Sequence, residues 1–334
     1  MKYYLLTLKF LTPVHFGDAA NGGGLEKGTF TCSADTFFSA LCNEAAAQSP
    51  AVAERLIAMF AERKMQISSL MPYCKTAEDG MQFYLPKPLL SIERPIAEAK
   101  SFAEMKQAAT ALKKVKKSMY IRASQMRRFL ASSPFDDSAP VFAVPVLSTK
   151  VNTRKEEPLP YYVASYCFKE NTGLYLICGA EDTQAFCKLK NLIESLGLSG
   201  IGGKRSSGYG KFQLAEDEIE LDINAGCYED DEVLAAMLME KTAAWQMCIA
   251  PLHPEREHVS LVKEGAYKLV KRSGFVTSPA ANTGVKRASV YMLAEGSCLP
   301  IRVKGCLVKQ AVPGLEHNIY RNGLGMFVGL RNEQ

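Results

Sequence analysis

The chain has 334 residues, 47% of them apolar and 22% charged, a composition that excludes a disordered protein and a length that suits two domains better than one. No run of about eighteen apolar residues occurs, so no transmembrane helix is expected. The net charge of +5 is unevenly spread: residues 212–240 carry ten acidic side chains and no basic one, leaving basic flanks on either side. Such a distribution suits a polyanion partner with a bounded footprint, or an ordinary solvated surface.

The opening MKYYLLTLKF has a short apolar stretch and no small-residue cleavage site after it, and so reads as a strand and not as a signal peptide. That strand is expected over Tyr3–His15, followed by a Gly-rich loop from Gly17 to Gly28. Ser33 is placed to N-cap a helix with Asp35 in its first turn, and Phe37, Leu41 and Ala45 fall on one face. A second helix fits Ala51–Lys64. Pro86 and Pro88 exclude a helix over Met81–Ile92, which is therefore extended. Two helical stretches fill about 97–131. The run Lys113–Arg128 within them holds seven cations and no acid, suited to an RNA backbone, to another subunit or to a solvated helix face.

Two apolar arms, VFAVPVL and YYVASYCF, flank the charged segment TKVNTRKEEP, which predicts a long hairpin over about 142–170. Gly173–Gly179 is a buried strand. Glu181–Leu196 is an amphipathic helix with Phe186, Leu189, Ile193 and Leu196 in one stripe and Gly197 as its C-cap. A strand resumes at Gly210–Leu214. This element order predicts a decorated ferredoxin-like (βαββαβ, RRM-like) domain over 1–214. The acidic segment 215–232 is the natural boundary to a second α+β domain over 215–334, with a helix near 229–241 and strands near 244–251, 265–272, 287–294, 300–311 and 319–330.

The ten cysteines show no C-x-x-C spacing and mostly sit in apolar runs, so they read as free buried thiols of a cytoplasmic protein, with neither disulfides nor a metal site. Of four histidines, His15 closes the first strand near the Gly-rich loop and is placed either to face RNA or to be satisfied structurally.

The segment Leu198–Phe212, LSGIGGKRSSGYGKF, sets five glycines around Lys204, Arg205, Ser206 and Ser207. Glycines permit positive φ and close approach to a ligand. Successive N–H groups can cradle a phosphate, the cations and hydroxyls add donors, and Tyr209 can stack on a base. A nucleoside-triphosphate loop is excluded: Leu198 stands where its first glycine belongs, and the loop runs from helix to strand.

This loop resembles the glycine-rich loop of the RAMP superfamily of CRISPR proteins. LKFLTPVHFG, LEKG, SADTFFSALCNEA, FYLPKPLL and KKVKKSMYIRASQMRRFL resemble the first domain of subunit four of the type III-A (Csm) effector complex. YKLVKRSGFV, VYMLAEGSCLPI and HNIYRNGLGMFVGL resemble its second domain and closing strand, although Asn322 stands where an aromatic is usual between Arg321 and Gly323. The ordered set covers nearly the whole chain.

The resemblance implies two ferredoxin-like domains, a projecting β-hairpin thumb and a non-catalytic subunit with no cofactor and no membrane association. Its implied role is to hold the 5′ repeat-derived tag of a CRISPR RNA and to join the large polymerase-like subunit to a backbone RAMP subunit in antiviral defence. The expected RNA contacts are His15, Gly17, the loop residues Gly200, Gly202, Gly203, Lys204, Arg205, Ser206, Ser207, Gly208 and Tyr209, and the thumb's Arg154 and Lys155. Arg272, Lys286, Arg287 and Arg321 complete the set. The alternative is a metal-independent endoribonuclease that processes repeat RNA, with a histidine as general acid or base.

Overall fold

The structure is a computed structural model, and it describes every residue except 18–23, 93–100, 134–138, 153–156, 216–217, 277–284, 313–314, 316 and 332–334. It is a mixed α/β protein whose sheets pair their strands antiparallel.

The first half opens with β1 (Lys2–Phe10) and a small ladder of β2 (Phe16–Gly17) and β3 (Gly28–Thr29). Helices α1 (Ala34–Gln48) and α2 (Pro50–Ala61) follow. Pro50 sits at the first turn of α2, where its missing N–H costs nothing, and the Ser49 hydroxyl accepts from the Val52 amide. Next come β4 (Met65–Ile67), β5 (Met71–Thr76), β6 (Gly80–Pro86), α3 (Phe102–Lys117), β7 (Tyr120–Arg122) and the short α4 (Met126–Leu130). The hairpin is formed by β8 (Ala143–Asn152) and β9 (Leu159–Phe168), paired over ten residues as a sheet of their own. Then come β10 (Thr172–Ala180), buried at all nine positions, α5 (Thr183–Ser199), β11 (Phe212–Leu214) and β12 (Ile219–Glu220).

The first sheet runs β11-β1-β10-β5-β6-β7. Its strands β11, β1, β10 and β5 come from a strand–helix–strand–strand–helix–strand path, with α1 and α2 as one crossover and α5 as the other. The apolar stripe of α5 is buried as its 3.6-residue period requires. Its end differs from the sequence expectation. Gly197 is helical and buried, because a Cβ there would strike the Phe212 carbonyl. The helix stops at Gly200, whose φ of 81° is open to glycine and strained for other residues.

The second half begins with α6 (Glu229–Met239) and continues through β13 (Trp245–Leu252), a 3₁₀ turn at Arg256–Val262, β14 (Leu269–Arg272), β15 (Val290–Leu293), β16 (Cys298–Leu299), β17 (Cys306–Gln310) and β18 (Ile319–Leu330). Its sheet runs β14-β15-β13-β18-β17. Among the described residues no α-helix lies between these strands. Instead α1, from the first half, packs against β13 and β18 as well as α2 and α5. One buried apolar cluster accordingly contains Leu5, Phe37 and Ile177 together with Met247, Ile249 and Val328. The second sheet thus buries a face against its own α6 and against α1, borrowed from the first half.

The junction is pinned electrostatically. Asp230, fully buried in the first turn of α6, accepts from the Phe83 and Ser124 amides and from Arg122 Nε at 3.1 Å. Arg122 also reaches Asp79 and Glu229. One cation of the basic run 113–128 therefore closes the acidic segment onto the first sheet, while Lys116, Lys117, Arg127 and Arg128 are exposed.

Candidate nucleic-acid interface

A cleft of about 720 Å³ opens between the halves. It brings together His15, Gly17, Gly202, Gly203, Arg205, Arg272, Arg287 and Arg321, which the sequence scatters over three hundred positions.

The glycine-rich loop forms one wall. Gly202 has φ 88°, and a Cβ there would sit 2.6 Å from the His15 carbonyl oxygen. That carbonyl accepts from the Gly203 amide at 2.8 Å. His15 is buried, and its Nδ1 lies 2.6 Å from the Ala164 carbonyl, an acceptor, so Nδ1 carries the proton. It thereby ties the loop to the middle of β9 in the hairpin. The expected nest of successive free amides is narrower than the sequence suggested. The amides of Gly200, Ile201, Gly203, Ser207, Gly208, Tyr209 and Gly210 all have partners within the protein. Gly203 and Gly210 donate to the β1–β2 connection, and the others donate within the loop or to the end of α5.

Lys204 adopts a left-handed φ of 63° and opens a 3₁₀ turn over Arg205–Ser207. Its Nζ donates to the Tyr161 hydroxyl at 3.1 Å and lies 4.6 Å from that ring's centre, so it faces the hairpin. Lys150 of β8 returns the contact over Tyr209 at 5.4 Å. Ser206 and Ser207 are exposed, and a Cβ on Gly208 would meet nothing within 4 Å. The hairpin stands over this loop with Val144, Val146, Leu147, Val151, Leu159 and Tyr162 exposed. Its tip residues Arg154 and Lys155 lie outside the described residues.

The opposite wall is a group of three arginines around one carboxylate. Asp35, 1% exposed in the first turn of α1, receives Arg272 through Nε at 2.9 Å and Nη2 at 2.6 Å. Arg321 Nη1 lies 3.5 Å from the same carboxylate, and its Nη2 donates to the Ser273 carbonyl. Arg287 Nη1 donates to the Ser39 hydroxyl at 3.2 Å. Burial works against the charge on Arg272, but Asp35 outweighs it and raises the pKa. Burial lowers the pKa of both Arg287 and Arg321, with Asp35 opposing it in each case. Lys286, in contrast, is exposed and lies off the cleft lining.

Several residues here had no functional signal in the sequence. Asp35 read only as a helix-start residue, and Ser33, expected to cap that helix, instead donates its hydroxyl to Glu295 at 2.7 Å. Glu295 also accepts from Ser69 and lines the cleft, as do Lys87, Lys268 and the exposed Phe275. A carboxylate with spaced arginines is legible as a site only once α1 and the second sheet are seen in contact. Among the described residues no cluster of three or more potential metal ligands occurs, and no helix is long and apolar enough to cross a membrane.

A family model described as the CRISPR Csm4 C-terminal domain matches residues 241–330. A Csm4 protein of the CRISPR system of Mycobacterium tuberculosis (strain CDC 1551 / Oshkosh) is 28% identical over 330 residues, covering 95% of this chain and 94% of the relative. The chain is similar to Csm4 proteins along nearly its whole length. Csm4 of Streptococcus thermophilus is likewise 28% identical, covering 92% of this chain and 91% of that one. Solved structures share the fold. A chain of the Csm3-Csm4 subcomplex in the type III-A CRISPR-Cas interference complex superposes with a TM-score of 0.63 at 16% identity, covering 98% of this chain and 99% of that one. A chain of the Csm1-Csm4 cassette in complex with pppApA gives 0.60 at 18%, with complete coverage of both. The glycine-rich loop and the arginine cleft thus lie in a chain similar to Csm4 proteins.

Proposed function

We propose that this chain is the RNA-binding, non-catalytic subunit of a type III-A Csm effector complex, holding the 5′ repeat-derived tag of the CRISPR RNA. It bridges the large subunit, as in the Csm1-Csm4 cassettes, and a backbone subunit, as in the Csm3-Csm4 subcomplex. The observation that carries the RNA assignment is the cleft, where, among the described residues, Lys87, Arg205, Lys268, Arg272, Arg287 and Arg321 face only Asp35 and Glu295 as acids. An excess of cations beside a glycine-rich loop is the electrostatic footprint of a nucleic-acid groove.

The order β11-β1-β10-β5 in the first sheet supports a ferredoxin-like domain, and for the second sheet that reading rests on the resemblance. The exposed apolar hairpin is read as a thumb at the tag–guide junction. Absence of ribonuclease activity is supported by the state of His15, the one histidine lining the cleft, which is buried with Nδ1 on a carbonyl. The subunit works in the cytoplasm, where its ten thiols stay reduced.

Co-expression with the large and backbone subunits tests the whole reading. The assembly is expected to retain short RNAs with a common 5′ sequence, and purified chain is expected to leave repeat RNA uncut. Assembly that proceeds equally well without the chain, with the same RNA, refutes it.

A further inference from the structure

The second sheet ends in an open edge. Strand β14 pairs with β15 and stands outermost in the order β14-β15-β13-β18-β17. The Ala294 amide donates to the Lys268 carbonyl at 2.8 Å, so antiparallel alternation puts the hydrogen bonds to β15 at Lys268, Val270 and Arg272. The main-chain N–H and C=O groups of Leu269 and Lys271 therefore point outward, and among the described residues they meet no partner. By the same alternation the Tyr291 carbonyl, opposite Lys271, turns toward β13 and lies 3.0 Å from His253 Nδ1. Side chains alternate with the same period. Arg272 is turned to α1, where it holds Asp35, so Leu269 and Lys271 lie on the opposite face. There Leu269 and the cross-strand Tyr291 are 55% and 58% exposed, beside a small buried cluster that includes Leu252 and Leu293. From Gly265 to Ala294 the sequence holds Lys268, Lys271, Arg272, Lys286 and Arg287 and not one acid.

We infer that β14 receives an extended, acidic segment of a partner subunit as an added strand. This rests on the subunit reading above and is separate from the RNA assignment, since Leu269, Lys271 and Tyr291 do not line the cleft. The open row of main-chain groups is met by a strand, whose own N–H and C=O groups supply the missing partners. Donors alternate with acceptors along that row, which matches a polypeptide, whereas a phosphate backbone offers acceptors alone. Leu269 and Tyr291 take an apolar side chain of the added strand, and Lys268 and Lys271, one on each face, take carboxylates opposite them. The same cations act against self-pairing. A second copy of β14 would meet only like charge, the usual guard of an edge strand.

Amide hydrogen exchange, read by fragmentation mass spectrometry, compares the full chain alone with the chain assembled with the large and backbone subunits. The Leu269 and Lys271 amides are expected to exchange freely in the chain alone and at least about 10-fold more slowly in the assembly. Those of Val270 and Arg272 are expected to be slow in both. This arm needs no variant to fold. A second arm titrates the full chain, by anisotropy, into a short fluorescein-labelled peptide that alternates glutamate with valine, with a lysine–valine peptide as control. The acidic peptide is expected to bind at least about 10-fold more tightly, through its charge pairs with Lys268 and Lys271. Lys271→Pro removes an N–H that faces outward and spares the ladder to β15, so it is expected to keep the melting temperature and to lose the peptide. Lys271→Gln, which keeps the N–H, is expected to cost only a part of the affinity.

If the assembly forms and both outward amides exchange as fast as in the chain alone, the added strand is wrong while the subunit reading stands. If no assembly forms, the subunit reading falls, and the peptides decide the edge: preference for the acidic one supports it, and equal binding overturns it. Protection of Leu269 and Lys271 that rises with the concentration of the chain alone assigns the edge to a second copy and overturns the inference. Loss of affinity for single-stranded RNA in Lys271→Pro, with the acidic peptide still bound, assigns it to RNA and overturns it equally.

Discussion

Asp35 holds the cleft together, and replacing it with Asn tests that assignment. The change keeps the side chain's shape and removes its charge, leaving Arg272, Arg287 and Arg321 buried around a neutral group. Deleting one partner of a buried ion pair costs about 3–5 kcal/mol, because the other charge is stranded. Unfolding entropy of about 2.1 cal/mol/K per residue, over 334 residues, makes each kcal/mol worth about 1.4 °C. Asp35→Asn is therefore expected to lower the melting temperature by roughly 4–7 °C, followed by circular dichroism in a buffer without polyvalent anions. Two companion measurements isolate the cause. Added sulfate is expected to recover more stability in the variant than in the wild type, since an anion can neutralise the stranded arginines. Arg272→Met is expected to be less costly in the Asp35→Asn background than alone, the mark of direct coupling. A variant that melts within about 1 °C of the wild type, with no sulfate effect, would refute the reasoning.

Gly202→Ala and Gly208→Ala both place a side chain at positive φ, at about 1–2 kcal/mol each, but only the first meets backbone, 2.6 Å away at His15. Gly202→Ala is expected to lose at least twice the stability of Gly208→Ala by thermal melting, and equal losses would discount the packing of the loop. The Thr242 hydroxyl and amide, with Arg331, hold the Glu240 carboxyl down at about 2. Its contribution is present above the ordinary carboxylate value and is lost as the pH falls toward 2, so Glu240→Gln is expected to flatten the melting temperature over that acid range. Among the cysteines, Cys187 and Cys227 are exposed, while burial pushes the Cys42 and Cys298 thiols up to about 12. Native alkylation at neutral pH with peptide mapping is expected to modify Cys187 and Cys227 first; rapid labelling of Cys298 would contradict the packing of β16.

The local elements were legible because their signals are local. The stripe of Phe186, Leu189 and Ile193, the two prolines after Leu85 and the paired apolar arms of the hairpin each fix conformation from their own neighbours. The end of α5 was misread at Gly197 because two glycines compete as a cap, and the choice between them is made by Phe212, which arrives fifteen residues later. The site was legible in one half only. Its glycines and Lys204–Arg205 announce themselves by composition, and the second-half arginines were expected from resemblance. That Arg272 holds Asp35 through two nitrogens, whereas Arg287 turns to Ser39 and Arg321 also holds the Ser273 carbonyl, depends on a helix more than two hundred positions away. No periodicity encodes that pairing.

Sharing α1 between two sheets also makes the cleft a thermodynamic coincidence detector. The carboxylate that organises the arginines belongs to one half and the arginines to the other, so their arrangement exists only while the halves are docked. By linkage, whatever free energy a ligand gains in the cleft is returned as resistance to their separation. A subunit with an anion in the cleft would thereby be stiffer than one without, and partners that grip both halves would sense the difference without touching the anion.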